Sequence, residues 1–218
     1  MKFLCRTTEH ELSHRVLNAF AMGTPDTLVA GFGPVARADE IPVYYGILRG
    51  CKEAIHEDMK AGRPWVYIDH GYFGDTDNEN LTGHYRIVVG GLHHRVPEWP
   101  EPLDNGRGAA YLAAMSSPRN PFTDGGTVVL VPPTEAVAGF YGISPDEWLL
   151  ANAHPDAVVC TKKTRNLDEM LKNCRILISH SSTAGVKAMM LGIAATCTAE
   201  RAPVPRHGKF GRAGLISW

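Results

Sequence analysis

Four consecutive polar side chains, His180, Ser181, Ser182 and Thr183, follow a short apolar run. That run, residues 175–178, is typical of a buried strand, and the residues after Thr183 favour a helix that opens with small side chains. Free backbone N–H groups at a helix start, with hydroxyl donors beside them, bind anions such as phosphate. A helix cap without a ligand needs only one such side chain. The four residues therefore favour an anion site over a simple cap.

A charged pair stands at the end of a second apolar run, where Asp69 and His70 follow residues 64–68 and precede Gly71. Such side chains add little to packing and face the crevice beyond the strand ends. A carboxylate or an imidazole there could take a proton from a hydroxyl group. We take Asp69 as the first candidate for a general base, His70 as the second and His84 as the third. The structural alternative is an Asp that caps a turn beside a core His.

Histidine is concentrated in the same region, which makes a metal site an alternative interpretation. The candidate ligands are His70, His84, His93, His94, Asp69, Asp75 and Asp77. Their spacing does not match a known metal motif, and the neighbours His93 and His94 would point to opposite faces of a strand. We therefore assign no metal ligand.

Other catalytic signatures are missing from the sequence. It has no P-loop and no Gly-x-Ser-x-Gly turn, and Gly31-Phe32-Gly33 lacks the third glycine of a dinucleotide-binding fingerprint. These gaps argue against a P-loop kinase, a serine hydrolase and a dehydrogenase.

Composition and charge indicate an ordinary globular protein. Of 218 residues, 44% are hydrophobic, and 22 Lys and Arg nearly balance 23 Asp and Glu. The net charge of -1 gives no overall attraction to nucleic acid or anionic lipid. Five cysteines without a Cys-x-x-Cys pair favour reduced thiols. With no apolar run of membrane-spanning length and no signal-peptide pattern, we expect a cytoplasmic protein with no membrane partner.

Alternating strands and helices must position these side chains. Strands are predicted at residues 2–5, 27–30, 64–68, 85–89, 127–131, 157–161, 175–178 and 193–197. Helices are predicted at residues 9–21, 51–61, 166–172 and 182–191. A further helix is predicted to begin at Pro145, with Ser144 as its N-cap. Residues 74–126 are rich in Gly, Asp, Asn and Pro and read as a loop-rich crossover. We predict an α/β fold with two small Rossmann-like layers, parallel sheets, and halves at residues 1–115 and 116–218, with the boundary near 105–125.

The segment SHSSTAGVKAMMLGIAAT, residues 179–196, resembles the donor half of GT-B glycosyltransferases. In that family a hydroxyl-rich loop and an apolar helix lead to the pattern eGvPv. Here Leu191 stands in place of the acidic residue and Ala194 in place of the proline. The resemblance implies a GT-B-like fold in which His180, Ser181, Ser182 and Thr183 contact the phosphates of a nucleotide-sugar donor.

Two further segments extend the resemblance. Glu135, after one predicted strand, and Lys162 and Lys163, after the next, stand where GT-B proteins face the donor, and the lysines resemble the basic residues of capsule-type transferases. Such lysines would neutralise a leaving diphosphate. Residues 66–74 resemble the E-x-G-[FY] segment of capsular polysaccharide transferases, which implies that Asp69 or His70 activates the acceptor.

The resemblance implies a glycosyltransferase that uses a nucleotide sugar as substrate and needs no cofactor. Residues 1–115 would form the acceptor side and residues 116–218 the donor side. A minimal, phage-encoded version would modify hydroxymethylated bases in DNA, held by the basic tail of Arg201, Arg206, Lys209 and Arg212. Two alternatives stay open: a non-catalytic protein that binds or sequesters a nucleotide, and a metal-dependent hydrolase that uses the His and Asp cluster.

Overall fold

The computed structural model describes residues 2–32, 36–71, 84–93, 126–163 and 166–200. The chain divides into two compact units, Met1–Leu92 and His93–Trp218. The predicted boundary near residues 105–125 and the basic tail with Arg201, Arg206, Lys209 and Arg212 lie outside the described residues.

The first unit is a five-stranded sheet with two helices. Its strands are β1 (Lys2–Thr7), β2 (Leu28–Gly31), β3 (Glu40–Tyr45), β4 (Val66–His70) and β5 (Tyr85–Val89), and its helices are α1 (Glu11–Met22) and α2 (Cys51–Lys60). The strand order is β2-β1-β3-β4-β5. β1 to β4 run parallel, whereas β5 pairs with β4 in the antiparallel direction. The carboxyl ends of four strands therefore meet at one edge.

The two helices of the first unit face different sides of its sheet. Cys5, Val43 and Ile68 form one core cluster with Val16 and Leu17 of α1. The next residues along the strands point the other way, because side chains alternate between faces. On that second face the Tyr44 hydroxyl donates a hydrogen bond to Asp58 of α2. Helix α1 therefore covers the face with Cys5, Val43 and Ile68, and α2 covers the face with Tyr44.

The second unit is a four-stranded parallel sheet. Its strands are β6 (Thr127–Val131), β7 (Ala157–Val159), β8 (Cys174–Ser179) and β9 (Ala194–Cys197), in the order β7-β6-β8-β9. Its described helices are α3 (Glu135–Tyr141), α4 (Pro145–Ala151), α5 (Leu167–Leu171) and α6 (Ala184–Met190). Trp148 of α4 packs on Val128 and Leu130, and its Nε1 donates to Thr198 Oγ1 at 2.7 Å. This bond ties α4 to the segment that follows β9.

The predicted α/β class is confirmed, and two local features differ from the prediction. Helix α3 was not predicted, because Pro132 and Pro133 read as a loop; Thr134 begins it by accepting a hydrogen bond from the Val137 amide. β5 was predicted as a strand, but its antiparallel direction departs from the purely parallel sheets expected. The predicted Ser144 cap of α4 is confirmed, since its Oγ accepts from the Glu147 amide at 3.4 Å.

Candidate functional site

The predicted donor-side residues all follow the carboxyl ends of neighbouring parallel strands in the second unit. Val131 at the end of β6 pairs in register with Ser179 at the end of β8, and Leu130 pairs with Val159 at the end of β7. The segments that leave these three strands therefore start from one edge of the sheet. They carry Glu135, Lys162, Lys163 and the four residues His180, Ser181, Ser182 and Thr183.

The loop after β8 uses part of its polar groups internally. Ser182 Oγ accepts a hydrogen bond from the Ala184 amide at 3.1 Å, just before α6, whose N-cap residue Thr183 makes no side-chain cap bond. Ser181 Oγ lies 3.1 Å from His180 Nδ1, and both residues are 8% exposed. Thr183 is exposed. The loop thus has two hydroxyl groups engaged within it and one, that of Thr183, at the surface.

The His180 side chain is buried against an aromatic ring. Its ring packs edge-on against Tyr141 at the end of α3, with the ring centroids 5.0 Å apart. Burial lowers the pKa of His180, because the charged form loses its hydration. Lys162 and Lys163, which follow β7, are both exposed. Glu135, also exposed, begins α3.

In the first unit, the Asp69 carboxylate is anchored at the end of β4. Its Oδ2 accepts from the Tyr67 hydroxyl at 2.7 Å and from Arg86 Nη2 at 2.8 Å, while its Oδ1 accepts from the His70 amide at 2.8 Å. The Arg86 side chain is 9% exposed and that of Asp69 is 27% exposed. Oδ2 is therefore occupied by two donors, whereas Oδ1 accepts one bond and keeps a lone pair.

His70 points to the opposite face of the sheet from Asp69, because the two are adjacent in a strand. Its ring stacks on Tyr85 with centroids 5.9 Å apart, and its Nε2 lies 3.4 Å from the Tyr45 hydroxyl. Burial raises the pKa of Tyr45 to about 12, with the negative charge of Asp69 acting in the same direction. Among the described residues, the buried Nδ1 of His70 has no hydrogen-bond partner.

His84 is brought beside these residues by the antiparallel pairing of β4 and β5, because it directly precedes Tyr85, the partner of His70. The Gly71 amide donates to the His84 carbonyl oxygen at 2.6 Å. A Cβ atom at position 71 would lie 2.7 Å from that oxygen, so only glycine fits there. His84 itself is exposed. All three predicted candidates for the general base thus lie where β4 ends.

Two partners of Asp69 were not foreseen in the sequence. Tyr67 is two residues before Asp69 on the same face, a spacing that could have indicated it. Arg86 pairs with Asp69 in the antiparallel register of β4 and β5, and that register leaves no local signal in the sequence.

Comparison with solved structures shows a protein of similar fold. A solved glycosyltransferase has the same fold. It is KpsC of Thermosulfurimonas dismutans, a beta Kdo 2,4 transferase, with a TM-score of 0.53 and 12% sequence identity, over 100% of this chain and 89% of that chain. The likeness agrees with the predicted α/β fold class of the Rossmann-like, GT-B-like type. Neither a family model nor a curated protein matches the sequence.

The described residues contain neither a metal-binding cluster nor a membrane-spanning helix. No group of three or more His, Cys, Asp or Glu side chains there is placed to hold a metal ion. His94, Asp75 and Asp77 of the predicted cluster lie outside this part of the chain. No helix in the described ranges is long and apolar enough to cross a bilayer.

Proposed function

We propose that the protein is a glycosyltransferase that moves a sugar from a nucleotide-sugar donor to a hydroxyl acceptor. The observation that carries the proposal is the position of the candidate residues. In a chain with the fold of a glycosyltransferase, each unit has its chemical groups at the carboxyl edge of its parallel strands, which is where such sheets bind ligands.

The second unit would bind the donor. Ser181 and Thr183 would donate hydrogen bonds to the phosphate oxygens, and His180, Ser182 and Glu135 would shape the same loop surface. Lys162 and Lys163 would stabilise the negative charge that develops on the phosphate as the bond to the sugar breaks. This role fits their exposure at the end of β7.

The first unit would activate the acceptor through Asp69. The acceptor oxygen forms a bond to the anomeric carbon, the bond from that carbon to the donor phosphate breaks, and the hydroxyl proton passes to Asp69 Oδ1. Oδ1 suits this step because Arg86 and Tyr67 occupy Oδ2 and hold the carboxylate in place. His70 and His84 are the second and third candidates for the base.

The acceptor we propose is a hydroxymethylated base in DNA, with Arg201, Arg206, Lys209 and Arg212 contacting the phosphate backbone. Transfer to duplexes with hydroxymethylated cytosine, but not to unmodified duplexes, would support this acceptor. Its affinity should fall steeply with salt, because each phosphate contact releases counterions. Transfer to a saccharide alone would replace DNA with a carbohydrate acceptor and leave the glycosyltransferase proposal intact.

A second function, nucleotide binding without turnover, is favoured by one observation. The three hydrogen bonds to Asp69 are also what a purely structural carboxylate makes. Under that alternative Asp69→Asn would bind the nucleotide normally and the wild-type protein would transfer no sugar. A metal-dependent hydrolase would instead need bound metal and lose activity with a chelator.

Donor binding is the first experiment. A thermal-shift panel of UDP, GDP, CMP and TDP sugars, with free phosphate and divalent metals as controls, should give stabilisation by one nucleotide sugar. Lys162→Gln with Lys163→Gln should remove most of that shift, whereas Lys172→Gln, at an exposed lysine directly after the last residue of α5, should leave it. No shift with any nucleotide, together with a clear shift with a metal, would overturn the proposal.

Turnover is the second experiment. With the donor identified, Asp69→Asn should keep donor affinity and lower the transfer rate by a factor of about 100 or more, the typical contribution of a general base. Transfer at the wild-type rate by Asp69→Asn would remove Asp69 from the mechanism and leave His70 and His84 to be tested in the same way.

A further inference from the structure

Arg6, near the end of β1, is a buried cation with few partners. The residue is 6% exposed, and its Nη1 donates one hydrogen bond, to the Tyr44 hydroxyl at 3.1 Å. The guanidinium lies over the ring of Phe32, 5.0 Å from the centroid, and over the ring of Tyr44 at 5.7 Å. Its buried Nε has no hydrogen-bond partner within the described residues. A guanidinium has five N–H donors, so most of its capacity is unused there.

The carboxylate that is bonded to Tyr44 is already paired with another arginine. Asp58, whose side chain is 1% exposed, accepts from the Tyr44 hydroxyl and from Arg63, whose Nε and Nη2 lie 2.8 and 2.7 Å from its Oδ1. Arg63 therefore balances the charge of Asp58, and Arg6 reaches that carboxylate only through Tyr44. Burying a cation without a counter-charge is costly, and a bound anion would remove that cost.

Arg49 is a second cation whose charge acts, like that of Arg6, at the start of α2. Burial raises the pKa of the Cys51 thiol to about 12, and the positive charges of Arg6 and Arg49 both act in the opposite direction. Cys51 is the first residue of α2, a ten-residue helix, so its positive end adds to these two charges. The acidic side chain that acts on the same thiol, Glu53, is paired with Lys52 at 3.4 Å. The start of α2 thus carries an excess of positive charge.

Arg6 shares both an edge and a face of the sheet with Asp69. Cys5 pairs with Val43, which puts Arg6 in line with Tyr44, and Tyr44 pairs with Tyr67. Tyr67 bonds Asp69, two residues further along β4. Because β1 and β4 are separated by one strand, Arg6 lies two interstrand spacings, about 10 Å, from the strand that carries Asp69.

We propose that Arg6, assisted by Arg49, binds an oxyanion, a phosphate or carboxylate group, of the acceptor molecule. The assignment of this anion to the acceptor rests on the proposed function, whereas the anion site itself does not. The planar guanidinium offers paired N–H groups that match two oxygens of such an anion. Phe32, 38% exposed, presents a ring beside the site for a flat part of the same molecule. Because Asp69 also lies two residues, about 7 Å, further along its strand, the acceptor would be held by its charge about 12 Å from its reacting hydroxyl.

The test follows the Arg6 Nε–H signal by NMR while inorganic phosphate or, separately, acetate is added at constant ionic strength. The signal is assigned in the wild type by through-bond correlations along the Arg6 side chain, and its loss in Arg6→Lys is a check on the assignment. We expect a saturable shift with at least one anion, and the stronger response distinguishes a phosphate from a carboxylate. Arg49→Gln should weaken that binding about two- to fivefold, the effect of losing one exposed charge. Arg37→Gln, an exposed arginine before the amino end of β3, should not change it.

Absence of a saturable shift with both anions would overturn the proposal, as would equal affinities in Arg49→Gln and the wild type. Neither result depends on whether Arg6→Lys folds, because the wild type and Arg49→Gln decide it. The outcome is also separate from donor binding: a protein that binds phosphate at Arg6 and no nucleotide sugar would keep the anion site and lose the proposed function. The reverse pattern would lose only the anion site.

Discussion

Replacing Arg86 by methionine should loosen the end of β4 by an amount that follows from its contacts. Arg86 is nearly buried and donates to Asp69 Oδ2, to the His70 carbonyl and to the Leu92 carbonyl, the last at 3.2 Å. Methionine keeps the packing against Tyr67 and removes all three bonds. Loss of the bond to the partly exposed carboxylate should lower the free energy of local opening by about 1 kcal/mol. Loss of each bond to a carbonyl should lower it by about 1 kcal/mol as well, so we expect a total of about 3 kcal/mol.

Hydrogen exchange of the peptide that covers β4 and β5 measures this loss directly, as the free energy of local opening. Peptides from β6 and β8 are the internal control. Arg86→Lys, which keeps the charge and loses the fork of donors, should cost about half as much. In an Asp69→Asn background, Arg86→Met should cost about 1 kcal/mol less, because the charge pair is already gone. A loss below about 1 kcal/mol in Arg86→Met would refute the idea that this network holds Asp69.

Two further predictions concern buried titratable groups. Burial lowers the pKa of His180 below its ordinary value of 6.5, so the unfolded chain takes up a proton first as the pH falls. Stability should therefore drop below pH 6.5, and urea midpoints on either side of that pH should differ less in His180→Gln; an equal difference in both proteins would contradict this. All five cysteines are buried, and burial raises the pKa of Cys5 and Cys51 to about 12. A thiol reagent should react with them only as the protein unfolds, and fast reaction of native Cys5 would contradict this.

The alternation of strands and helices was predictable because each element carries its own local pattern. β6 was predicted at residues 127–131, where it lies, and both runs of polar residues were placed after strands. α3 was missed because two prolines precede it and Gly139 interrupts its seven residues. The direction of β5 depends on the path of the chain before it, which no local pattern records.

The placement of the candidate residues after strand ends was predictable, and their contacts were less so. The polar run after β8 indicated an anion site, but the burial of His180 against Tyr141 depends on how α3 packs. Asp69 was identified by its place at a strand end, yet the three donors that hold it come from pairing with β5 and from a neighbouring tyrosine. Arg6 gave a signal that was overlooked: an arginine directly after Phe3, Leu4 and Cys5 in a short apolar strand.

The strand orders have a consequence for how the chain is made. In β2-β1-β3-β4-β5 and in β7-β6-β8-β9, every strand after the first of its sheet pairs with a strand that precedes it in the chain. As the polypeptide leaves the ribosome, each described strand therefore finds a partner that is already synthesised. The last described strand of the first sheet ends at Val89, so the described part of that sheet can close before β6 is translated, which limits the time that unpaired strand edges are exposed to other chains.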